Sequence, residues 1–368
     1  MANGRLRKVF PGGNTSVGFY SFYEHIIPPD ARRIMIIKGG PGVGKSTLMR
    51  VIGDAMLEKG FDLEHHCCSS DNGSLDGVVI PAIGVAMIDG TAPHIVDPKN
   101  PGAVDEIIHL GDYWDETGMR ANKEQILKLN REVGRLFRRA YGYLAQAKIL
   151  LDEVESYYID GRALDVVGLN SLANTLVSEI FSNGPQLREA RARHLFASAI
   201  SPGGLVNHFE TLFDHLQKRY IITGDDGTGK STIVKKVYDT AVGYGYDVEA
   251  FHCALAPDRI EHLIIPSLDI AVISSMGPHR YPARDSDAVI HTARFVSSSA
   301  LASFTEDMGI AKRRYQEAID RAVSLILRAK LTHDEMEEYY VPNMDFEAIN
   351  ALRDATLRRI LAYAEEVG

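Results

Sequence analysis

The stretches IIKGGPGVGKST (36–47) and IITGDDGTGKST (221–232) decide the fold. Each begins with a short β-branched run, RIMIIK (33–38) or RYIIT (219–223), that suits a strand buried on both faces. Each then passes through a glycine-rich turn into a segment with one apolar face. In the first copy that face carries Leu48, Val51, Ile52, Ala55 and Met56, the spacing of a helix. The pattern strand, glycine turn, helix is therefore written twice, 185 residues apart.

The duplication reaches well beyond these stretches. The offset of 185 holds without a gap from Gly39 to His94 and from Gly224 to His279. VVIPAIGVAMI (78–88) answers LIIPSLDIAVI (263–273), and Cys68 answers Cys253. Further on the offset falls to 182, where DEIIH (105–109) answers DAVIH (287–291) and AKILLDEVESYY (147–158) answers AKLTHDEMEEYY (329–340). Upstream, KVFPGGNTSVGF (8–19) answers HLFASAISPGGL (194–205). Blocks that keep order and spacing mark a tandem duplication. The units are 5–190 and 191–368, matching the two domains expected of 368 residues.

Each unit reads as α/β. FDLEHHCCS (61–69) is expected as a second strand and GVAMI (84–88) as a third, joined by right-handed crossovers in a mainly parallel sheet flanked by helices. A long-helix region follows. Val133, Phe137, Ala140, Leu144, Ala147, Leu151, Val154 and Tyr158 step by four and three, a heptad seam with Gly142 as a place to bend. The second unit repeats it at Tyr315, Ile319, Ala322, Ile326, Ala329, His333, Met336 and Tyr340. The seam is expected to pack on neighbouring helices or on the other half, with His333 facing inward.

Gly39-x4-Gly44-Lys45-Ser46 and Gly224-x4-Gly229-Lys230-Ser231 match the P-loop pattern, and both sit between a strand and a helix. The glycines let successive backbone N–H groups converge on phosphate, and the helix adds its N-terminal dipole. The expected nucleotide contacts are Gly39, Gly40, Pro41, Gly42, Val43, Gly44, Lys45, Ser46 and Thr47. In the second copy they are Gly224, Asp225, Asp226, Gly227, Thr228, Gly229, Lys230, Ser231 and Thr232. Lys45 and Lys230 would carry an ammonium to the β- and γ-phosphates, and Ser46 and Ser231 a hydroxyl to Mg²⁺. Asp89 closes VAMID (85–89) in the Walker B form and is the third expected metal and catalytic residue, with a turn aspartate in Asp89-Gly90 as the plainer reading. Its counterpart is the uncharged Ser274, so the first site is expected to be the more active. Lys38 stands seven residues before Lys45, the wrong spacing for the deviant signature of partition-type ATPases. Asp225-Asp226 reads as an exposed pair pointing away from the phosphates.

Other polar residues have plainer readings beside sharper ones. His94 and His279 follow prolines near the strand ends, where a ligand contact competes with a local loop role. His109 and His291 recur and are expected on a helix. His65-His66-Cys67-Cys68 cannot converge on one metal from a single strand, so buried cysteines are the better account. Asp76 and Glu261 are equivalent and read as solvated loop carboxylates, with a base or metal role as the alternative. Arg131/Arg313 and Arg139/Arg321 recur on the long helices, either as a solvated face or as fingers for the opposite nucleotide.

Composition narrows the classes. Hydrophobic residues at 45% and charged residues at 24% exclude wholesale disorder. No apolar run approaches the roughly 20 residues of a membrane span, and no secretory leader is visible in MANGRLRKVF. Three cysteines without a framework fit reduced thiols in the cytoplasm. The net charge of −9 divides as −4 and −5 between the halves, which argues against a nucleic-acid partner.

The tandem loops, FPGGNTSVGFYSFYE (10–24), GTAPHIVDP (90–98) and the AK…HDE.E.YY pattern (329–340) resemble a family of bacterial tandem P-loop ATPases across the whole chain. That resemblance implies nucleotide binding and supplies no substrate. The expected function is Mg²⁺-dependent ATP hydrolysis, with adenine taken by default because no NKxD-type guanine motif is present. The alternatives are a kinase of a small molecule or nucleotide, with 89–104 binding the acceptor, and a nucleotide-gated switch acting on a protein partner. The sequence sets no oligomeric state.

Overall fold

The protein is described here by a computed structural model covering residues 3–92, 95–277 and 280–367. The first unit runs β1 (Leu6–Val9), β2 (Gly12–Thr15), β3 (Gly18–Ser21), β4 (Arg33–Lys38), α1 (Lys45–Glu58), β5 (Leu63–Cys67), β6 (Leu75–Ile80), β7 (Val85–Asp89), β8 (Asp105–His109), α2 (Glu116–Ala121), α3 (Lys123–Asp160) and α4 (Val166–Ile180). The second repeats it as β9 (Ala192–Phe196), β10 (Ser198–Ser201), β11 (Gly204–Asn207), α5 (Phe209–Phe213), β12 (Lys218–Thr223), α6 (Lys230–Gly243), β13 (Val248–His252), β14 (Ile260–Ile265), β15 (Ile270–Ser275), β16 (Ala288–His291), α7 (Thr305–Tyr340) and α8 (Phe346–Glu365).

Each unit builds a six-stranded, mostly parallel sheet. The orders are β1-β5-β6-β7-β4-β8 and β9-β13-β14-β15-β12-β16. The apolar strands β4 and β12 lie inside their sheets, as continuous burial requires. One strand differs from the expected all-crossover path. β6 runs antiparallel to both β5 and β7, and β14 does the same in the second unit. The run VVIPAIGVAMI is thus two strands folded back through a tight turn. Pro81 opens that turn and Gly84, at φ 63°, closes it. An uninterrupted apolar run conceals such a reversal.

The edges β1 and β9 join the halves. Phe10 and Phe196 exchange backbone hydrogen bonds of 2.9 and 3.0 Å. Beside them Arg7 and Arg193, which are repeat mates, interlock with Glu64 and Glu249, also repeat mates. Across the halves Arg193 Nη2 lies 2.6 Å from Glu64 and Arg7 Nη2 2.5 Å from Glu249, with the pairs inside each unit at 3.2 and 2.9 Å. Burial opposes charge on Glu64, yet Arg193 and Arg7 hold its carboxyl well below the usual range.

The heptad seam becomes one antiparallel helix pair. α3 and α7 have 38 and 36 residues, about 57 and 54 Å at 1.5 Å per residue. Leu136, Ala140, Leu144, Ala147 and Leu151 pack against Ala318, Ala322, Leu325, Ile326 and Ala329. Alanines on both sides let the axes approach closely. α3 is continuous through Gly142.

The helices that follow cross over. α4 lays Leu169, Ala173, Leu176 and Ile180 on the second sheet, against Tyr220, Ile222 and Val234. α8 lays Ile349 and Ile360 on the first, among Met35, Ile37 and Ile52. Each unit's sheet is therefore covered by the last helix of the other unit. No helix among the described residues is long and apolar enough to cross a membrane.

Candidate functional site

The two glycine loops sit at the carboxyl ends of β4 and β12, where ligands bind in open α/β sheets. α1 and α6 begin directly after Gly44 (φ 90°) and Gly229 (φ 89°), left-handed conformations that suit glycine. Neither helix has a side-chain cap, so first-turn N–H groups remain for an incoming anion. By contrast α2, α4 and α8 start on Asp115, Asp165 and Asp345, whose carboxylates accept those bonds.

The loop lysines fold back on their own loops. Lys45 Nζ donates to the carbonyls of Gly39 (3.2 Å) and Gly40 (2.7 Å). Lys230 Nζ donates to Gly224 (2.8 Å) and Asp225 (2.6 Å). Both ammoniums thus sit over the loop mouth. Burial lowers the Lys230 pKa, against the pull of Asp226 and Glu261.

Asp89 ends β7, which pairs with β4, and its Oδ2 lies 3.6 Å from Lys45 Nζ. Its Oδ1 accepts from Thr91 N at 2.9 Å, which fixes the carboxylate at the loop. Ser46 Oγ accepts from Leu75 N at 3.0 Å. A hydroxyl and a carboxylate are hard oxygen donors of the kind Mg²⁺ takes. In the second unit Ser274 is buried and its N–H donates to His262 Nδ1 at 3.2 Å, so Ser231 has no carboxylate at the matching position. Among the described residues no group of three or more His, Cys, Asp or Glu is arranged for a metal.

Residues of the other half complete each loop. A Cβ on Gly40 would stand 2.4 Å from Cε1 of Tyr340, and one on Gly42 3.0 Å from Glu337. In the second loop a Cβ on Gly227 would meet Tyr158 at 2.6 Å, and one on Gly229 would meet Leu169 at 2.9 Å. The end of α7 therefore lies on the first loop and the end of α3 on the second. The surroundings differ. Glu155 is clamped by Arg259 (Nη2 at 2.9 Å), whereas among the described residues the ion-pair partner of its mate Glu337 is His333 Nδ1, at 3.5 Å. The position matching Arg259 is Ser74.

Several expectations change. His333 is 42% exposed at its side chain rather than turned inward, because the buried seam passes from Ala329 to Met336 beside it. His109 and His291 end the strands β8 and β16, since DEIIH and DAVIH pair with β4 and β12 instead of forming helices. Asp225 is exposed as expected, but Asp226 is half-buried. Burial raises its pKa although Lys230 pulls the other way. Asp76 is a buried residue of β6, and Glu261 lies on β14; neither is a solvated loop carboxylate. Burial pushes up the carboxyl pKa of Glu261, which also interacts with Lys230. Only their recurrence in the repeat marked them.

Arg139 and Arg321 lie 19 residues, about 28 Å, from the loop-capping tyrosines of their own helices. Arg131 and Arg313 are exposed; the cation that reaches the second loop is Lys312, 3.5 Å from Asp225. Cys67 and Cys68 are buried free thiols as expected, and burial pushes Cys67 up to about 12. His94 and His279 lie outside the described residues.

Sequence reading missed one difference between the units. Lys38 donates to the carbonyls of Gly90 (2.8 Å) and Val96 (2.7 Å), filling the space beside the first loop. Its counterpart Thr223 is shorter. A cavity of about 670 Å³ opens there, reached by Arg280, Tyr281 and His291.

Fold and site together define a duplicated α/β protein with two glycine loops at equivalent sheet ends. Compared with known protein families, curated proteins and solved structures, the chain has no match.

Proposed function

We propose that the protein is a tandem P-loop NTPase that binds ATP with Mg²⁺ and hydrolyses it chiefly at the first loop. The observation that carries this reading is the repeated loop: a glycine turn, an uncapped helix start and a lysine ammonium over the mouth. Such a cradle suits a polyphosphate, whose oxygens would replace the carbonyls that now hold each lysine. The asymmetry rests on Asp89, 3.6 Å from Lys45, against Ser274. Ser46 and Asp89 would hold the metal, which would neutralise charge developing on the γ-phosphate. Lys45→Ala should lower ATP turnover by roughly 10²-fold or more, and Lys230→Ala by much less. Equal losses would overturn the asymmetry, and absence of turnover in the unaltered protein would overturn hydrolysis.

A second reading, phosphoryl transfer to a small acceptor, draws support from the cavity of about 670 Å³ beside the second loop. ADP production that depends on an added acceptor would favour it. Tight ATP binding without turnover would instead favour a switch.

A further inference from the structure

The midpoint of the α3/α7 pair carries a cleft of about 440 Å³, remote from both loops. It is lined by Arg139, Gly142 and Tyr143 of α3 and by Arg321, Leu325 and Arg328 of α7, with Gln146 and Ser324 at its sides. Three arginines line the cleft and no carboxylate does, in a chain whose net charge is −9. None of the three forms an ion pair among the described residues. Nearby acids have other partners: Glu132 is held by Arg135 at Nε, 2.6 Å away, although Arg328 and Arg139 also act on its charge, and Asp320 accepts from Gln316 at 2.8 Å. Glu317, one turn before Arg321, acts on its charge without forming an ion pair with it among the described residues.

The cleft has a built shape. Gly142 has no atom within 4 Å of where a Cβ would stand, which opens its floor. Arg321 lies over the Tyr143 ring, with Cζ 5.7 Å from the centroid and Nη1 3.4 Å from the phenol oxygen, so its plane is set. Arg139 and Arg321 are repeat mates brought together by the antiparallel crossing. A guanidinium presents paired donors that match phosphate oxygens.

We infer that this cleft binds a small polyphosphate. The volume falls within the range of small-molecule sites, about 300–1,000 Å³. Three guanidiniums match the charge of a short phosphate chain, while Gln146, Ser324 and Tyr143 add neutral hydrogen-bonding groups. A nucleic acid fits less well, since it calls for an extended basic band and this chain is acidic.

The test uses inorganic tripolyphosphate and the full chain carrying Lys45→Ala and Lys230→Ala, which removes the loop lysines as competitors. Calorimetry should still detect saturable binding, weakening as salt rises. Adding Arg139→Ala and Arg321→Ala should weaken it at least ~10-fold, because several charge-assisted hydrogen bonds are lost. Both arginines are exposed, so circular dichroism should stay unchanged. Absence of binding in the lysine variant, or binding indifferent to the arginine changes, would overturn the assignment. So would tighter binding of a single-stranded RNA octamer, which would make the cleft a nucleic-acid surface.

Discussion

Replacing Ile360 by alanine tests the crossover of terminal helices directly. Ile360 belongs to the second unit by sequence, yet it is fully buried among Met35, Ile37 and Ile52 of the first. The change removes three carbons. At about 0.8 kcal/mol per buried CH₂ the transfer term is ~2.4 kcal/mol. The cavity left behind raises the total to about 3–4 kcal/mol, inside the usual span for Ile→Ala. Urea unfolding should register that loss. Hydrogen exchange read by peptide should locate it: amides in 33–109 whose opening releases Ile360 should exchange about 10²–10³-fold faster, with 218–291 little changed. Ile180→Ala, on α4, should do the reverse, because Ile180 packs with Tyr220 and Val234. If Ile360→Ala loosened 218–291 and left 33–109 protected, the reciprocal covering would be refuted.

Two further tests address the join between the halves. Arg193→Met leaves Arg7 as the one guanidinium that Glu64 and Glu249 share, and should cost about 3–5 kcal/mol in urea unfolding; a loss below ~1 kcal/mol would refute the interlock. His252 is buried and its pKa is lowered to about 4, chiefly by burial and then by His194, whose Nδ1 lies 2.9 Å away. Unfolding frees it to take a proton below its ordinary 6.5. Stability should therefore fall as the pH drops from 6.5 towards 4, by up to ~3 kcal/mol from this group. His252→Gln should flatten that slope in urea midpoints taken at pH 7 and 4.5, and an unchanged slope would refute the argument.

The sheet ends and both loops were legible in the sequence because glycine, lysine and an apolar strand in fixed order leave few alternatives. Asp89 was legible for the same reason, as a carboxylate closing a strand that must lie beside the loop. The seam was legible as a period, and its partner was found only in the structure. Periodicity tells which residues are buried without telling against what. β6 was hidden because a reversal at Pro81–Gly84 interrupts no apolar run. His333 was misread because repeat equivalence with Leu151 fixes position, while an imidazole half-exposed beside Glu337 gains hydration that leucine does not seek. The crossover of α4 and α8 leaves no local mark, since an amphipathic helix fits either sheet.

The same crossover bears on how the loops communicate. α7 starts near the second loop, where Lys312 lies 3.5 Å from Asp225, and ends on the first, where Tyr340 lies over Gly40. α3 starts beside that end, with Asn122 Nδ2 3.4 Å from the Tyr339 carbonyl, and ends on the second loop at Tyr158. Each long helix therefore touches the neighbourhood of both loops, and the two are packed together along their length. A ligand that shifts Tyr340 acts on a packed helix pair whose other end carries the contacts of the second loop. Interiors built from interdigitated alanine and leucine move as units rather than deform. Coupling through them is reciprocal: whatever occupancy of the first loop does to affinity at the second, occupancy of the second does by the same factor to the first. If both loops bind nucleotide as proposed, Tyr158 and Tyr340 are the contacts through which such coupling would pass. Their single alanine variants should reduce it without removing either loop's glycine and lysine groups.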